Sequence, residues 1–157
     1  MKLCVLAVGR LKGAERELCE RYDARLAKSG RPLGLDWRGT TEVPEARGDP
    51  AERMRSEAAA LLARAGEARI VALDERGDTL DSEKFATMIA RERDGGAASL
   101  AFAIGGADGH GAALLSRADR RIAFGRMTWP HQIVRALLLE QLYRATTILS
   151  GHPYHRA

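Results

Sequence analysis

Apolar residues recur along this chain with two alternating periods, and the alternation spells out a series of strands and helices. Leu3 to Val8 is almost continuously apolar and reads as a strand. From Ala14 to Lys28 the large residues Leu18, Tyr22 and Leu26 fall at i, i+4 and i+8, a helical stripe that Ser29-Gly30-Arg31-Pro32 brings to an end. Leu33 to Trp37 predicts a short second strand, and Gly39 to Pro50 a polar, proline-bearing loop. Asp49 at an N-cap and Pro50 in the first turn open a helix that runs to Ala65. Ile70 to Leu73 is a third strand. Asp81-Ser82 caps a helix with Phe85, Met88 and Ile89 facing inward, and Gly95-Gly96 closes it. Ser99 to Ile104 is a fourth strand, Ala112 to Ala118 a short helix, Arg121 to Phe124 a fifth strand and Ile133 to Leu149 the last helix.

Strands separated by helices predict an α/β fold whose parallel sheet is covered on both faces. Ligands of such sheets bind beyond the carboxyl ends of the strands. Three ends qualify: Leu73-Asp74-Glu75-Arg76-Gly77, then Ile104-Gly105-Gly106-Ala107-Asp108-Gly109, then Phe124-Gly125-Arg126-Met127-Thr128. Glycines directly after an apolar strand let a backbone approach a ligand that a Cβ would block, although a tight strand-to-helix turn explains them equally well. The order of these glycines fits neither the dinucleotide fingerprint G-x-G-x-x-G nor a P-loop.

At 157 residues, with 45% hydrophobic and 29% charged residues, the chain has the size and composition of a single domain, 1–157, with no apolar run near the ~20 residues of a membrane span. Its start reads as a first strand rather than a signal peptide. Cys4 and Cys19 offer neither a disulfide framework nor metal-ligand spacing, so we expect a cytoplasmic protein without a metal site.

The formal charge of +4 is unevenly distributed. Residues 1–116 carry 18 Lys and Arg against 19 Asp and Glu, whereas residues 117–157 carry 7 against 2. The excess therefore belongs to Arg117, Arg120, Arg121, Arg126, Arg135, Arg144 and Arg156, expected beside the glycine loop and the tail. Such a patch suits an anionic partner, and a solvated basic face explains the same count. The last helix, with Ile133, Val134, Leu137, Leu138, Leu139, Leu142, Ile148 and Leu149, has an apolar face wider than one core contact needs. A homodimer through outward leucines such as Leu138 accounts for it, and so does burial within its own domain. Glu140 and Arg144 form an i, i+4 pair, and His131 after Pro130 reads as a helix-start residue. On its own, a terminal His152-Pro153-Tyr154-His155-Arg156 reads as a packed or loose end of the chain.

Taken together, Leu73-Asp74, Ile104-Gly105-Gly106, Thr128-x-Pro130-His131-x-x-Val134-Arg135, Glu140-Gln141-Leu142-Tyr143-Arg144 and the terminal His-Pro-Tyr-His-Arg resemble the RlmH (YbeA) family of SPOUT methyltransferases, from end to end of the chain. Two departures stand out: Ala107-Asp108 where many relatives have Pro-Glu, and Trp129 where a smaller apolar residue is common. The resemblance implies a SPOUT fold with a C-terminal trefoil knot, the cofactor-binding knot lying within about residues 70–157, and a homodimer. It implies S-adenosylmethionine as cofactor, with no metal, no membrane and no DNA. The implied reaction is methylation of N3 of a pseudouridine in 23S rRNA of the assembled ribosome.

Carried over by position, the cofactor contacts are Leu73, Gly105, Phe124, Gly125, Arg126, Met127, Thr128 and Trp129, and the catalytic candidates are Tyr154, His155, Arg156 and Arg144. Their chemistry suits the reaction, because a protonated imide nitrogen has no lone pair to donate and must be positioned and deprotonated. Tyr154 can stack on a base, His155 can relay a proton near neutral pH, and Arg156 can stabilise an imidate oxygen or hold phosphate, with Arg144 a second cation. Two other classes fit parts of the sequence. A nucleotide-using small-molecule enzyme explains the glycines but leaves the arginine excess idle; a non-catalytic ribosome-binding factor explains the charge but not the loop.

Overall fold

A computed structural model describes residues 1–154. Five strands, β1 (Lys2–Val8), β2 (Asp36–Val43), β3 (Arg69–Thr79), β4 (Ser99–Ile104) and β5 (Arg120–Ala123), form one parallel sheet in the order β2-β1-β4-β3-β5. Five helices connect or follow them: α1 (Gly13–Ser29), α2 (Pro50–Ala65), α3 (Ser82–Asp94), α4 (Ala112–Arg117) and α5 (His131–Leu149).

The strands are apolar throughout because both sheet faces are covered. Leu3, Val5 and Ala7 of β1, Val71 of β3 and Leu100, Phe102 and Ile104 of β4 face the layer of α1, α3 and α5. Their alternates Leu6, Val8, Ile70, Ala72, Ala101 and Ala103 face α2 and α4. The alanines keep that second layer thin. Asp49 caps α2 in a reciprocal box, accepting from Glu52 N at 2.9 Å while Glu52 Oε2 accepts from Asp49 N at 3.4 Å, with Pro50 in the first turn.

The second strand differs from the sequence expectation. Arg31–Leu33 is a single 3-10 turn, and β2 runs from Asp36 to Val43, through residues the polarity assigned to a loop. It is an edge strand paired only with β1, so half its surface meets water and polar side chains are tolerated. Gly39, at φ +81°, lies where the register with β1 slips between Leu3 and Val5, which lets pairing resume at Thr40.

β3 also continues past Leu73. Ile122 of β5 aligns with Leu73 and again with Asp78, so the intervening residues loop out and the chain returns to the same partner. At Gly77 a Cβ would lie 2.5 Å from Ile122 N and 2.6 Å from the Arg121 carbonyl carbon, a crossing that only glycine permits.

In α5, Leu138 and Leu142 are 0% exposed and Leu139 is 1%, all packed against α1 and α3. The sequence expectation that Leu138 points outward is therefore corrected: its partner is the core of its own chain. Ile133, at 36% exposed, is the open apolar position at the start of the helix.

Candidate functional site

A cleft of about 500 Å³ opens at the carboxyl ends of β3, β4 and β5. It brings together Leu73, Gly105, Phe124, Gly125, Met127, Thr128 and Trp129, seven of the eight residues expected to hold a cofactor. Arg126 belongs to the same loop but is exposed and does not line the cleft.

The loop after β5 turns at Gly125, φ +102°, and Trp129 Nε1 donates to the Phe124 carbonyl at 3.3 Å, closing residues 124–129 on themselves. Met127 and Trp129 remain 72% and 41% exposed, an open apolar wall. The opposite side is a glycine turn after β4. Gly109 N donates to the Gly106 carbonyl at 3.1 Å, with Gly109 at φ +83° and Ala107-Asp108 at the tip. A Cβ on Gly105 would meet Gly109 O at 2.7 Å, one on Gly106 would meet Glu57 Oε2 at 2.7 Å, and one on Gly111 would run into the Met54 carbonyl. Close packing of the turn on itself and on α2 thus requires these glycines. Arg53 of α2 completes the attachment, donating from Nε to Asp108 Oδ2 (2.7 Å) and from Nη2 to Oδ1 (3.0 Å). That bidentate pair holds the Asp108 carboxyl below the usual range.

Two residues the sequence did not single out, His110 and Glu57, support this side of the cleft. His110 lines the cleft, and its Nε2 lies 3.1 Å from the Leu73 carbonyl, tying the glycine turn to the end of β3. Nδ1 is buried without a hydrogen-bond partner among the described residues. Burial pushes the imidazole pKa down, only partly opposed by Asp74 and the Leu73 carbonyl. A titratable side chain in the first turn beyond a strand end was the available signal. Glu57, 5% exposed, accepts from Ala46 N at 3.0 Å beneath the turn; nothing in its helical position announced this.

Two catalytic candidates lie together but away from the cleft. Tyr154 folds back on α5, its ring 4.9 Å from that of Tyr143 and 5.2 Å from the Arg144 guanidinium, and its hydroxyl donates to Glu140 Oε1 at 3.3 Å. Arg144 Nη2 donates to the same oxygen at 2.7 Å. Burial, then the neighbouring Tyr22 hydroxyl, pushes the Tyr154 phenol up to about 12, so it stays protonated as a donor and stacking surface. His131 lines the cleft, and Tyr143 lies twelve residues further along the same helix, roughly 18 Å at 1.5 Å per residue. His155 and Arg156 lie outside the described residues.

Among the described residues, five of the C-terminal arginines are engaged within the fold instead of forming the expected patch. Arg135 is 1% exposed and donates to Glu42 Oε1 (2.6 Å) and to the Val8 and Gly9 carbonyls (3.1 and 2.9 Å). Arg117 pairs with Asp119, Arg120 with Glu92 and Arg144 with Glu140, and Arg121 donates to the Leu115 carbonyl. Counting charge along the sequence could not reveal which cations the fold had already engaged.

The chain matches the family described as "Predicted SPOUT methyltransferase" over residues 1–155. It is similar to Ribosomal RNA large subunit methyltransferase H of Brucella abortus (strain S19), 53% identical over 169 aligned residues, and to the protein of the same name from Brucella anthropi, 54% identical over 160, each alignment covering all of both chains. Among solved structures, the SpoU methyltransferase AviRb from Streptomyces viridochromogenes aligns at 18% identity with a TM-score of 0.47, over 96% of this chain and 61% of that one. The full-length match, on a five-stranded parallel sheet with its cleft at the strand ends, makes this chain a member of the SPOUT methyltransferase family.

Proposed function

We propose that the protein is an S-adenosylmethionine-dependent methyltransferase acting on N3 of a pseudouridine in 23S rRNA of the assembled ribosome. The observation that carries this reading is the cleft itself. Its volume suits a nucleoside-sized ligand, its walls of Leu73, Phe124, Met127 and Trp129 are apolar, and the strand ends and the 124–129 loop offer backbone groups to an adenine edge. The relatives' name, which specifies large-subunit ribosomal RNA, supplies the substrate class.

The bound cofactor supplies an electrophilic methyl group, so no metal is required. Leu73, Gly105, Phe124, Gly125, Met127, Thr128 and Trp129 would hold it, with Arg126 at the rim. The glycine turn, fixed by Arg53 and His110, keeps that side of the cleft from shifting. The chain's further task is to align the target nitrogen and relieve it of its proton, with Tyr154 stacking on the base, His155 relaying the proton and Arg156 or Arg144 facing the developing oxyanion.

Tyr154 and Arg144 sit far along α5 from the cleft of their own chain, which supports a homodimer in which the tail of one protomer serves the cleft of its partner. The knot expected within residues 70–157 is compatible with the return of β3 to β5 and the crossing at Gly77.

The test is deletion of Tyr154 to Ala157. Calorimetry should give unchanged affinity for S-adenosylmethionine, because the cleft keeps every wall, while methylation of purified ribosomes falls at least about a hundredfold, the scale of a lost proton-transfer group. Full-rate methylation by the truncated protein would remove the tail from the mechanism. Absence of cofactor binding by the intact protein would remove the enzyme.

A further inference from the structure

Cations without an acidic partner lie at both edges of the sheet, in different settings. Lys28, Arg64 and Arg91 occupy the last turns of α1, α2 and α3, where positive charge offsets the negative end of a helix. These have a role in the fold. Arg10 and Lys12, between β1 and α1, and Arg47, between β2 and α2, are the reverse case. All three are exposed, none has an ion-pair partner among the described residues, and they stand near the positive ends of two helices. Lys12 is itself the N-cap of α1, a turn that no side chain caps. Helix electrostatics disfavours cations there, so the fold gives no reason for them.

Most acids of the same edge are already engaged. Glu42 accepts from Arg135 and from Leu11 N, Glu57 from Ala46 N, Asp108 from Arg53 and Asp74 from Arg76 N, while Asp49 and Glu52 are spent in the α2 cap. Glu15, Glu45, Glu75 and Asp78 remain, against the five exposed cations Arg10, Lys12, Arg47, Arg76 and Arg126. Beside Arg10 the surface also opens into a hollow of about 320 Å³, where Thr40 Oγ1 and the Nε of Arg135 are buried without a hydrogen-bond partner among the described residues. The acids bordering that hollow are answered too, Glu20 by Arg16, Asp23 by Trp37 Nε1 and Glu42 by Arg135.

The sheet order fixes where these groups stand. The loops after β2 and β1 occupy one half of the carboxyl edge and the cleft after β4, β3 and β5 the other, and the whole edge spans four interstrand steps, roughly 19 Å. Arg76 and Arg126 continue the exposed positive charge on the cleft side.

We propose that the carboxyl edge of the sheet, from the loop after β2 to the cleft, is the track along which the RNA phosphate backbone lies, with Arg47, Arg10 and Lys12 as phosphate contacts. This rests on the methyltransferase reading and places the RNA grip in the first third of the chain instead of among the C-terminal arginines.

The test uses full-length protein and purified ribosomes over a salt series. In the variant Arg10→Gln, Lys12→Gln, Arg47→Gln, the slope of log affinity against log salt should flatten by about two units, from about 0.7 per single-stranded phosphate contact, and Arg47→Gln alone should account for about one-third of that. Affinity for S-adenosylmethionine and the far-UV circular dichroism should be unchanged, since none of the three lines the cleft or is buried. The control Arg64→Gln, Arg91→Gln should keep the wild-type slope. A wild-type slope in the triple variant, equal flattening in the control, or no binding of ribosomes by the intact protein each overturns the track. If ribosomes bind and the slopes behave as stated but no methyl is transferred, the track stands and the enzymatic reading fails.

Discussion

At Gly105 the residue type is set first by the protein's own backbone, because a Cβ there would reach Gly109 O at 2.7 Å and the Gly109 carbonyl carbon at 2.8 Å. From the sequence this glycine makes room for a nucleoside; the structure adds an earlier reason, visible only once the turn is folded. Gly105→Val should therefore lose cofactor binding in calorimetry and also lower the melting temperature, in contrast to a purely ligand-directed clash, which would leave the melting temperature alone. His110 makes a second residue-level prediction. Its folded pKa is depressed from 6.5 by burial, so the unfolded chain binds the proton more readily. The stability it contributes is complete above the unfolded value and is lost as pH falls through the depressed folded value. Urea midpoints at about pH 7.5 and about pH 5.5 should thus differ less in His110→Gln than in the natural protein. Neither residue's environment was legible in a linear string: the glycines after an apolar strand announced a site, but not the carbonyls at Leu73 and Gly109 that define it.

Elements with a strong local signal were read correctly, and those that borrow their stability from neighbours were not. α2 declared its start with Asp49 and Pro50, and it ends at Ala65 as expected. β2 gave no such signal, since Arg38-Gly39-Thr40-Thr41-Glu42 reads as loop until β1 supplies its partner. α5 posed the opposite problem. Its wide apolar face allowed either a dimer contact or a core helix, and packing against both α1 and α3 accounts for Leu138, Leu139, Leu142 and Ala145. Leu138→Ala should accordingly cost about 2–5 kcal/mol in denaturant titrations, the range for a core leucine replaced by a cavity. A cost below about 1 kcal/mol, accompanied by dissociation, would return Leu138 to an interface.

For the whole molecule, the fold class, the strand-end location of the cleft and the family could all be read from the chain, whereas the distribution of charge could not. Arg135 counts as a surface cation in composition and is a buried strut in the structure, holding the Val8 and Gly9 carbonyls. The separation of tail and cleft makes a prediction at this scale. Chains lacking Tyr154 to Ala157 and chains carrying Gly105→Val should each be inactive, yet mixed dimers should regain methylation if one protomer's tail serves its partner's cleft. No recovery after confirmed subunit exchange would put tail and cleft in the same chain. The sheet order has one more consequence, for synthesis. β1 lies between β2 and β4, and Lys2 aligns with Ser99, so the first strand to be made waits for a neighbour nearly a hundred residues later. Until Ile104 has been added, one edge of an almost wholly apolar strand has nothing to pair with, and translation at roughly 5–20 residues per second sets the length of that interval. A nascent chain stopped before Ser99 therefore holds an open sheet edge rather than a smaller version of the domain, and it is a natural client for chaperones and proteases.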